Sequence, residues 1–136
     1  MSANLTAKAN VTIAAPAEAV WKALTDPAQI REYMFGSRVA SDWQVGSPIT
    51  WKGEMNGKPY EDKGKVLQVD RPSLLQYSHD SAAGGPAHVV TIRLTGSSDR
   101  TEVRLEQDHN PTEEARRHSQ DNWSMMLKGL KQVVEG

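Results

Sequence analysis

HSQDNWSMMLKGLKQVVEG, residues 118–136, has the apolar spacing of one long amphipathic helix. At about 100° per residue, its large apolar side chains fall on one face. That face carries Trp123, Met126, Leu127, Leu130, Val133 and Val134. Met125 falls on the opposite face, and we expect it to be exposed. An apolar face of this kind either fills a solid core or forms one wall of a ligand cavity.

The sequence predicts that this helix begins near residue 110. Asn110 is a suitable N-cap, Pro111 a suitable first helical residue and Glu113 a capping-box partner. About 24 residues at about 1.5 Å each give a length of roughly 36 Å, which spans a small domain. The apolar face turns polar toward this end, because Arg116 and Ser119 continue it.

The rest of the chain predicts a sheet that covers the helix. Leu5–Ala14 alternates loosely and ends in β-branched residues, which predicts the first strand. Two short helices follow, the first after Pro16 and the second after an Asp26 N-cap with Pro27 at its first position. About six strands then extend as far as His109. Their polar and apolar alternation favours antiparallel pairing, so we predict an α+β fold of one curved sheet and one long helix.

Several short segments within this region mark turns or irregular backbone. Asn56–Gly57 predicts the tight turn of a hairpin, because both residues tolerate positive φ. Gly64, inside a strand, predicts a bulge or a close approach of neighbouring atoms. The segment HDSAAGGPA, residues 79–87, has the composition of a loop. Glu61–Lys63 carries charges of both signs on a strand, which favours a solvated edge.

The composition fits one domain over residues 1–136. The chain has 16 basic and 17 acidic residues, a net charge of -1 and no cysteine. Disulfides and thiolate chemistry are therefore excluded, and no basic segment favours a nucleic-acid partner. No segment has the roughly 20 apolar residues of a membrane span, and the N-terminus lacks the apolar run of a secretory signal. We expect a cytoplasmic monomer or homodimer.

Four segments of the chain resemble a known family. They are TDPAQIREYMFG (25–36), VGSPITWKG (45–53), YEDKGKV (60–66) and QDHNPTEEARRHSQDNWSMMLKGL (107–130). On these segments the chain resembles the START-like (SRPBCC) superfamily and, more narrowly, bacterial stand-alone homologues of the C-terminal domain of the activator of Hsp90 ATPase. The resemblance extends over nearly the whole sequence.

The resemblance implies the helix-grip (START/Bet v 1-like) fold. In that fold a curved antiparallel sheet of six to seven strands surrounds a long C-terminal helix, and two short helices follow the first strand. The resemblance also implies a cavity between sheet and helix, which often holds an apolar or amphipathic small molecule. It implies no single reaction, because some relatives are cyclases, some carry lipids and some bind chaperones.

Aromatic and polar residues on the predicted inner face favour a ligand-binding cavity, because pockets are mostly apolar with a few placed polar groups. The expected ligand-binding residues are Trp51, Tyr77, His79, Val90, Ile92, His109, Trp123, Met126 and Leu127. Strand parity points His79 and His109 inward, so one of these or Arg116 would anchor the polar end of a ligand, with Gln107 nearby. The alternative is a packed core with both histidines at its rim.

The expected ligand is a small hydrophobic or amphipathic molecule, and no catalytic residue is assigned. Two other functions stay open: a cyclase or dehydratase with His79 or His109 as general base, and a partner of an Hsp90-type chaperone. The histidines lack the spacing of a metal site, so no metal and no cofactor is predicted. The sequence has no G-x-S-x-G motif, which argues against a hydrolase.

Overall fold

The computed structural model describes residues 5–34, 36–55, 57–80 and 87–136. Within these ranges, the strands are β1 (Leu5–Ile13), β2 (Arg38–Ala40), β3 (Pro48–Met55), β4 (Lys58–Asp70), β5 (Leu74–Asp80), β6 (His88–Gly96) and β7 (Thr101–Asn110). The helices are α1 (Ala17–Thr25), α2 (Pro27–Tyr33) and α3 (Glu113–Glu135). The two short helices follow β1, and the long helix comes last, so the predicted α+β helix-grip architecture is confirmed.

The strands form one antiparallel sheet in the order β1-β7-β6-β5-β4-β3-β2. Buried side chains alternate along β6 and β7, as expected for a sheet with one face in water. The buried side chains of α3 are Met126, Leu127 and Leu130, and they join the inner face of the sheet in one apolar core. Met125 is 56% exposed, as its place on the helix predicts. No helix among the described residues has the length and apolarity needed to cross a bilayer.

The two short helices pack on each other and on α3. Asp26 separates them, and its side chain accepts a hydrogen bond from the N–H of Ala28 at 3.1 Å, which makes it the predicted N-cap. The buried Tyr33 hydroxyl donates to the carbonyl of Ala23 at 2.8 Å and so satisfies an acceptor near the end of α1. A Cβ added at Gly129 would lie 3.1 Å from that of Tyr33, so this glycine lets α2 and α3 approach closely.

The start of α3 corrects one sequence prediction. The helix begins at Glu113, and Thr112 is its N-cap, with a side chain that accepts a backbone hydrogen bond from the first turn. The predicted N-cap, Asn110, is the last residue of β7. Its side-chain amide donates to the carbonyls of Leu5 at 2.9 Å and Gln107 at 3.0 Å. These bonds tie the end of β7 to β1, which keeps Asn110 in the sheet.

Two predictions of turns fall partly outside the described residues, because Asn56 and residues 81–86 lie outside them. Met55 pairs with Lys58 in the β3–β4 hairpin, and Gly57 has a φ of 78°, as the predicted tight turn requires. The first two residues of the predicted loop, 79 and 80, belong to β5.

Polar side chains of α3 also cover the outer edge of β1. The backbone N–H groups of Lys8 and Ala14 donate to Gln120 Oε1 at 3.3 Å and to Glu135 Oε2 at 2.8 Å. Lys131 Nζ donates to a β1 carbonyl at 3.0 Å and to the Glu135 carboxylate at 2.5 Å. The helix therefore satisfies backbone groups that β7 leaves unpaired on this side of the strand.

We expect the contact between Glu135 and Ala14 to make the stability of the fold depend on pH. The backbone N–H of Ala14 and, after it, the Lys131 ammonium lower the pKa of the Glu135 carboxyl. A carboxyl whose pKa is lowered by folding stabilises the fold above its ordinary pKa, and this contribution is lost as the pH falls through the folded value. Urea unfolding between about pH 7 and about pH 3 should therefore show a smaller acid-induced loss of stability in Glu135→Gln than in wild type. Equal losses would contradict this role for Glu135.

Candidate functional site

A cavity of about 340 Å³ lies between the sheet and the middle of α3, and it is open to solvent on one side. It is lined by Met34, Ser37, Trp51, Tyr60, Asp62, Tyr77, His79, Gln107, Ser119, Asn122 and Trp123. Aromatic rings therefore form much of the wall, and hydroxyl, amide, imidazole and carboxylate groups are placed between them. Among the described residues, the lining contains no lysine and no arginine.

One wall of the cavity is an aromatic cluster around Trp51. The rings of Trp51 and Tyr77 have centroids 5.6 Å apart and are tilted by 44°. The ring of His79 meets Trp51 edge-on, with centroids 4.9 Å apart and an angle of 86° between the planes. Tilted and edge-on contacts are the favourable arrangements for such rings. The cluster therefore holds both β5 side chains in fixed positions against β3.

Gly64, on β4 between these two strands, makes room for the cluster. A Cβ at this position would lie 1.9 Å from the carbonyl oxygen of Ser78 and 3.0 Å from Cη2 of Trp51. The indole of Trp51 thus covers backbone where another residue would place a side chain. Of the two readings of Gly64 from the sequence, close approach is the one that the structure bears out. The register shift of β4 lies between Val66 and Gln68 instead.

Trp123 of α3 lines the cavity from the helix side. Its indole Nε1–H donates to Gln107 Oε1 on β7 at 2.7 Å. Nearby, the Ser119 hydroxyl donates to Asn110 Oδ1 at 2.9 Å. These two bonds join the polar part of α3 to β7 and fix the indole as part of the cavity wall.

The Tyr77 hydroxyl is a donor to which none of the described residues offers an acceptor. Tyr77 is only 7% exposed, and its hydroxyl makes no hydrogen bond with any residue that the structure describes. Among those residues, every fully enclosed side-chain nitrogen or oxygen atom has a partner, so this hydroxyl is not sealed off. Tyr77 borders both the cavity and a smaller void of about 20 Å³ beside it. Burial raises the pKa of the Tyr77 phenol far above its ordinary value. The group therefore stays protonated at neutral pH and can donate to a ligand.

His79 and Asp62 form a hydrogen-bonded pair in the lining. His79 Nε2 lies 2.9 Å from Asp62 Oδ2. Because an ionised carboxylate only accepts hydrogen bonds, this contact places the ring proton of a neutral imidazole on Nε2. The other nitrogen, Nδ1, then carries a lone pair, and it makes no hydrogen bond with the described residues.

The structure brings together part of the set of ligand-binding residues predicted from the sequence. Trp51, Tyr77, His79 and Trp123 all line the cavity. The others on inner faces lie deeper: Ile92 and Met126 border a separate void of about 20 Å³, and Val90 and Leu127 are fully enclosed in the core. Those four side chains are part of the protein interior and do not form the wall of the larger cavity.

The inward orientation predicted for His109 is wrong. Its φ of 57° breaks the alternation of β7, so the side chain is 50% exposed and its Nδ1 lies 2.6 Å from Asp108 Oδ1. Arg116, the other predicted anchor, forms an ion pair with Glu113 and donates a hydrogen bond to Gln120 Oε1. It does not line the cavity. Of the three groups predicted to anchor a ligand, His79 alone reaches the cavity.

Asp62 is the most informative residue that the sequence analysis missed. The charges of Glu61–Lys63 favoured a solvated edge, yet Asp62 faces inward and Glu61 and Lys63 are exposed. Asp62 and Gly64 are two residues apart on β4, so both positions face the same side of the sheet. This spacing was the signal in the sequence that could have predicted the inward direction of Asp62. The other lining residues outside the predicted set are Met34, Ser37, Tyr60, Ser119 and Asn122, and Gln107 was expected near the ligand. Among the described residues, no group of three histidine or acidic side chains is arranged to hold a metal ion.

Solved structures share this fold over nearly the whole chain. The solution structure of ChR145 from Cytophaga hutchinsonii is 52% identical, with a TM-score of 0.85 and coverage of 99% of this chain and 97% of that chain. The crystal structure of MLL2253 from Mesorhizobium loti is 24% identical, with a TM-score of 0.82 and coverage of 96% and 97%. Ara h 8.0201, at 11% identity, has a TM-score of 0.79 with coverage of 98% and 99%, and it shares the fold alone.

Sequence comparison identifies the family. No curated protein matches this chain. Residues 14–135 match the family described as activator of Hsp90 ATPase homolog 1-like protein, which agrees with the resemblance stated above. The chain therefore belongs to the activator of Hsp90 ATPase homolog 1-like family.

Proposed function

We propose that this chain binds a small amphipathic molecule with a flat, largely apolar body in the cavity lined by Trp51 and Trp123. The observation that carries the proposal is the Tyr77 hydroxyl, a nearly buried donor that has no partner among the described residues. Because no described residue accepts a hydrogen bond from this hydroxyl, an acceptor on a bound molecule would take that place and gain about 0.5–1.5 kcal/mol.

The size and lining of the cavity support the proposal. Its volume of about 340 Å³ lies within the usual range for small-molecule sites. The helix-grip fold is also commonly a ligand-binding fold. Because no lysine or arginine belongs to the described lining, a neutral polar end suits the site better than a carboxylate or phosphate.

The arrangement of the lining defines the chemical class of the ligand more closely. Trp51 and Trp123 offer aromatic surface, which favours a flat ring system. Tyr77 offers a proton to an acceptor such as a carbonyl oxygen. The two-ring aromatic ketone β-tetralone combines these features and is a suitable probe.

Replacing Trp123 with alanine should weaken the binding of β-tetralone. Losing the burial of one large apolar side chain against the ligand removes about 1.5–3 kcal/mol, so we expect an increase in Kd of about 10- to 100-fold. Isothermal titration calorimetry on the full chain measures the affinity, and circular dichroism checks that the fold is intact. Native mass spectrometry of the purified wild type and variant tests in parallel for a ligand that copurifies.

Trp43→Ala is the matched control, because Trp43 is also a partly buried tryptophan but does not line this cavity. Its affinity for β-tetralone should equal that of wild type. An intact Trp123→Ala variant that binds as tightly as wild type would overturn the proposed ligand position.

A further inference from the structure

We infer that the same cavity is a proton-transfer site in which His79 acts as general base on a carbon next to a carbonyl group. The inference rests on the proposed function, because the substrate must occupy the ligand cavity. It is carried by three groups on one wall: the imidazole of His79, the carboxylate of Asp62 and the hydroxyl of Tyr77, which has no hydrogen-bond partner in the described part of the chain. The substrate class is a flat ketone with an acidic C–H bond beside its carbonyl.

The pair of His79 and Asp62 has the geometry of an oriented base. The bond of 2.9 Å between Nε2 and Oδ2 fixes the ring proton on Nε2 and leaves the lone pair on Nδ1. The edge-on contact with Trp51 restrains the ring further. Asp62 would also stabilise the imidazolium that forms when Nδ1 takes up a proton, as a carboxylate does in other oriented imidazoles. Asp62 is thus a positioning residue.

Tyr77 supplies the group that stabilises the developing negative charge. Residues 77 and 79 lie two apart on β5, so both side chains point to the same face, about 7 Å apart along the strand. Both rings contact Trp51. A flat ketone in the cavity can therefore present its carbonyl oxygen to the Tyr77 hydroxyl and the adjacent carbon to His79. A placed hydrogen-bond donor stabilises an enolate more than it stabilises the ketone.

The proton balance of the step is closed within the site. His79 Nδ1 takes a proton from the carbon next to the carbonyl. The C–H electron pair becomes the carbon–carbon π bond of an enolate, and the carbonyl π pair moves to oxygen, where the Tyr77 hydroxyl donates to it. Return of a proton from His79 to the same carbon restores the ketone. In deuterated water the imidazolium exchanges its proton before the return, so the ketone gains deuterium.

Hydrogen exchange of β-tetralone in deuterated water tests this inference. Proton NMR follows the loss of the signals beside the carbonyl, and the buffer rate is subtracted. We expect wild type to accelerate exchange and His79→Ala to lose about 100-fold or more of the protein-dependent rate. His79→Phe, which keeps a ring against Trp51, should lose as much. Tyr77→Phe should lose about 100-fold of the rate at saturating β-tetralone, and its Kd should rise by about 2- to 10-fold because the hydrogen bond to the ligand is lost.

Asp62→Asn separates a positioning role from a structural one. If Asp62 orients the base, this variant lowers kcat for exchange, leaves KM close to the wild-type value and changes the pH profile of the rate. If Asp62 had only a structural role, the variant would instead change the affinity for β-tetralone and the stability of the fold.

His88→Ala is the matched control. His88 pairs with His79 across β5 and β6, but its Nδ1 is bound at 2.8 Å to the backbone carbonyl of Asp108 and it does not line the cavity. Its exchange rate should equal that of wild type. Wild-type binding of β-tetralone without accelerated exchange overturns the base assignment and leaves the binding function in place. Acceleration that survives in both His79 variants also overturns it, and failure of wild type to bind β-tetralone overturns both proposals.

Discussion

Gly64→Ala is expected to lower the free energy of unfolding by about 3 kcal/mol or more. The new Cβ would lie 1.9 Å from the carbonyl oxygen of Ser78, an atom of the paired strand that cannot rotate away. Strands β4 and β5 would have to separate locally, and the indole of Trp51, 3.0 Å away, would also have to move. Because small domains are stable by only about 5–15 kcal/mol, this single methyl group removes a large part of the total.

Lys63→Ala provides the control for Gly64→Ala, because Lys63 is the neighbouring β4 residue and is exposed. It should change stability by no more than about 0.5 kcal/mol. Urea unfolding followed by tryptophan fluorescence measures both variants. If the two variants unfolded at the same urea concentration, the close approach at Gly64 would have no energetic importance. A folded fraction of Gly64→Ala should bind β-tetralone weakly, since Trp51 is displaced from the wall.

Leu127→Ala is expected to lower the free energy of unfolding by about 2–5 kcal/mol and to leave the β-tetralone affinity of the folded protein unchanged. Leu127 is 0% exposed and belongs to the core, so truncation removes buried apolar contacts and leaves a void. The residue does not line the ligand cavity, although the sequence predicted that it would contact a ligand. This variant should therefore lose stability without losing affinity for β-tetralone.

The neighbouring helix residue Met125 supplies the comparison for Leu127, because it is 56% exposed on the outer face of α3. Met125→Ala should change stability by at most about 0.5 kcal/mol and should not change affinity. Denaturant unfolding and calorimetry on both proteins give the two quantities. Weaker binding by Leu127→Ala alone would favour the ligand contact that the sequence predicted.

Much of the architecture follows from spacing along the chain. Three features are local patterns that each predict one kind of structure: the apolar face of the last helix, the alternation of β6 and β7, and the N-cap at Asp26. The close approach at Gly64 was one of two readings that a glycine inside a strand allows. The predicted start of α3 differs from the observed start by a few residues. The side chain of Asn110 donates to the carbonyls of Leu5 and Gln107, and only the folded sheet brings these acceptors close to it.

The site was harder to predict than the fold because it depends on register and on single backbone angles. Parity along β7 holds as far as Gln107, but the positive φ of His109 turns that side chain outward. Asp62 sits among exposed charges, and its pairing with His79 requires the alignment of β4 with β5. Neither a positive φ at a histidine nor a strand alignment is visible in residue spacing.

The cover that α3 places over β1 bears on how the chain behaves at high concentration. An open strand edge is a template on which another polypeptide can add and start a fibril. Here Gln120, Lys131 and Glu135 occupy one border of the sheet, and the opposite border is the three-residue strand β2. Acid that protonates Glu135 would loosen this cover, so intermolecular aggregation should set in on the acidic side before the core itself unfolds.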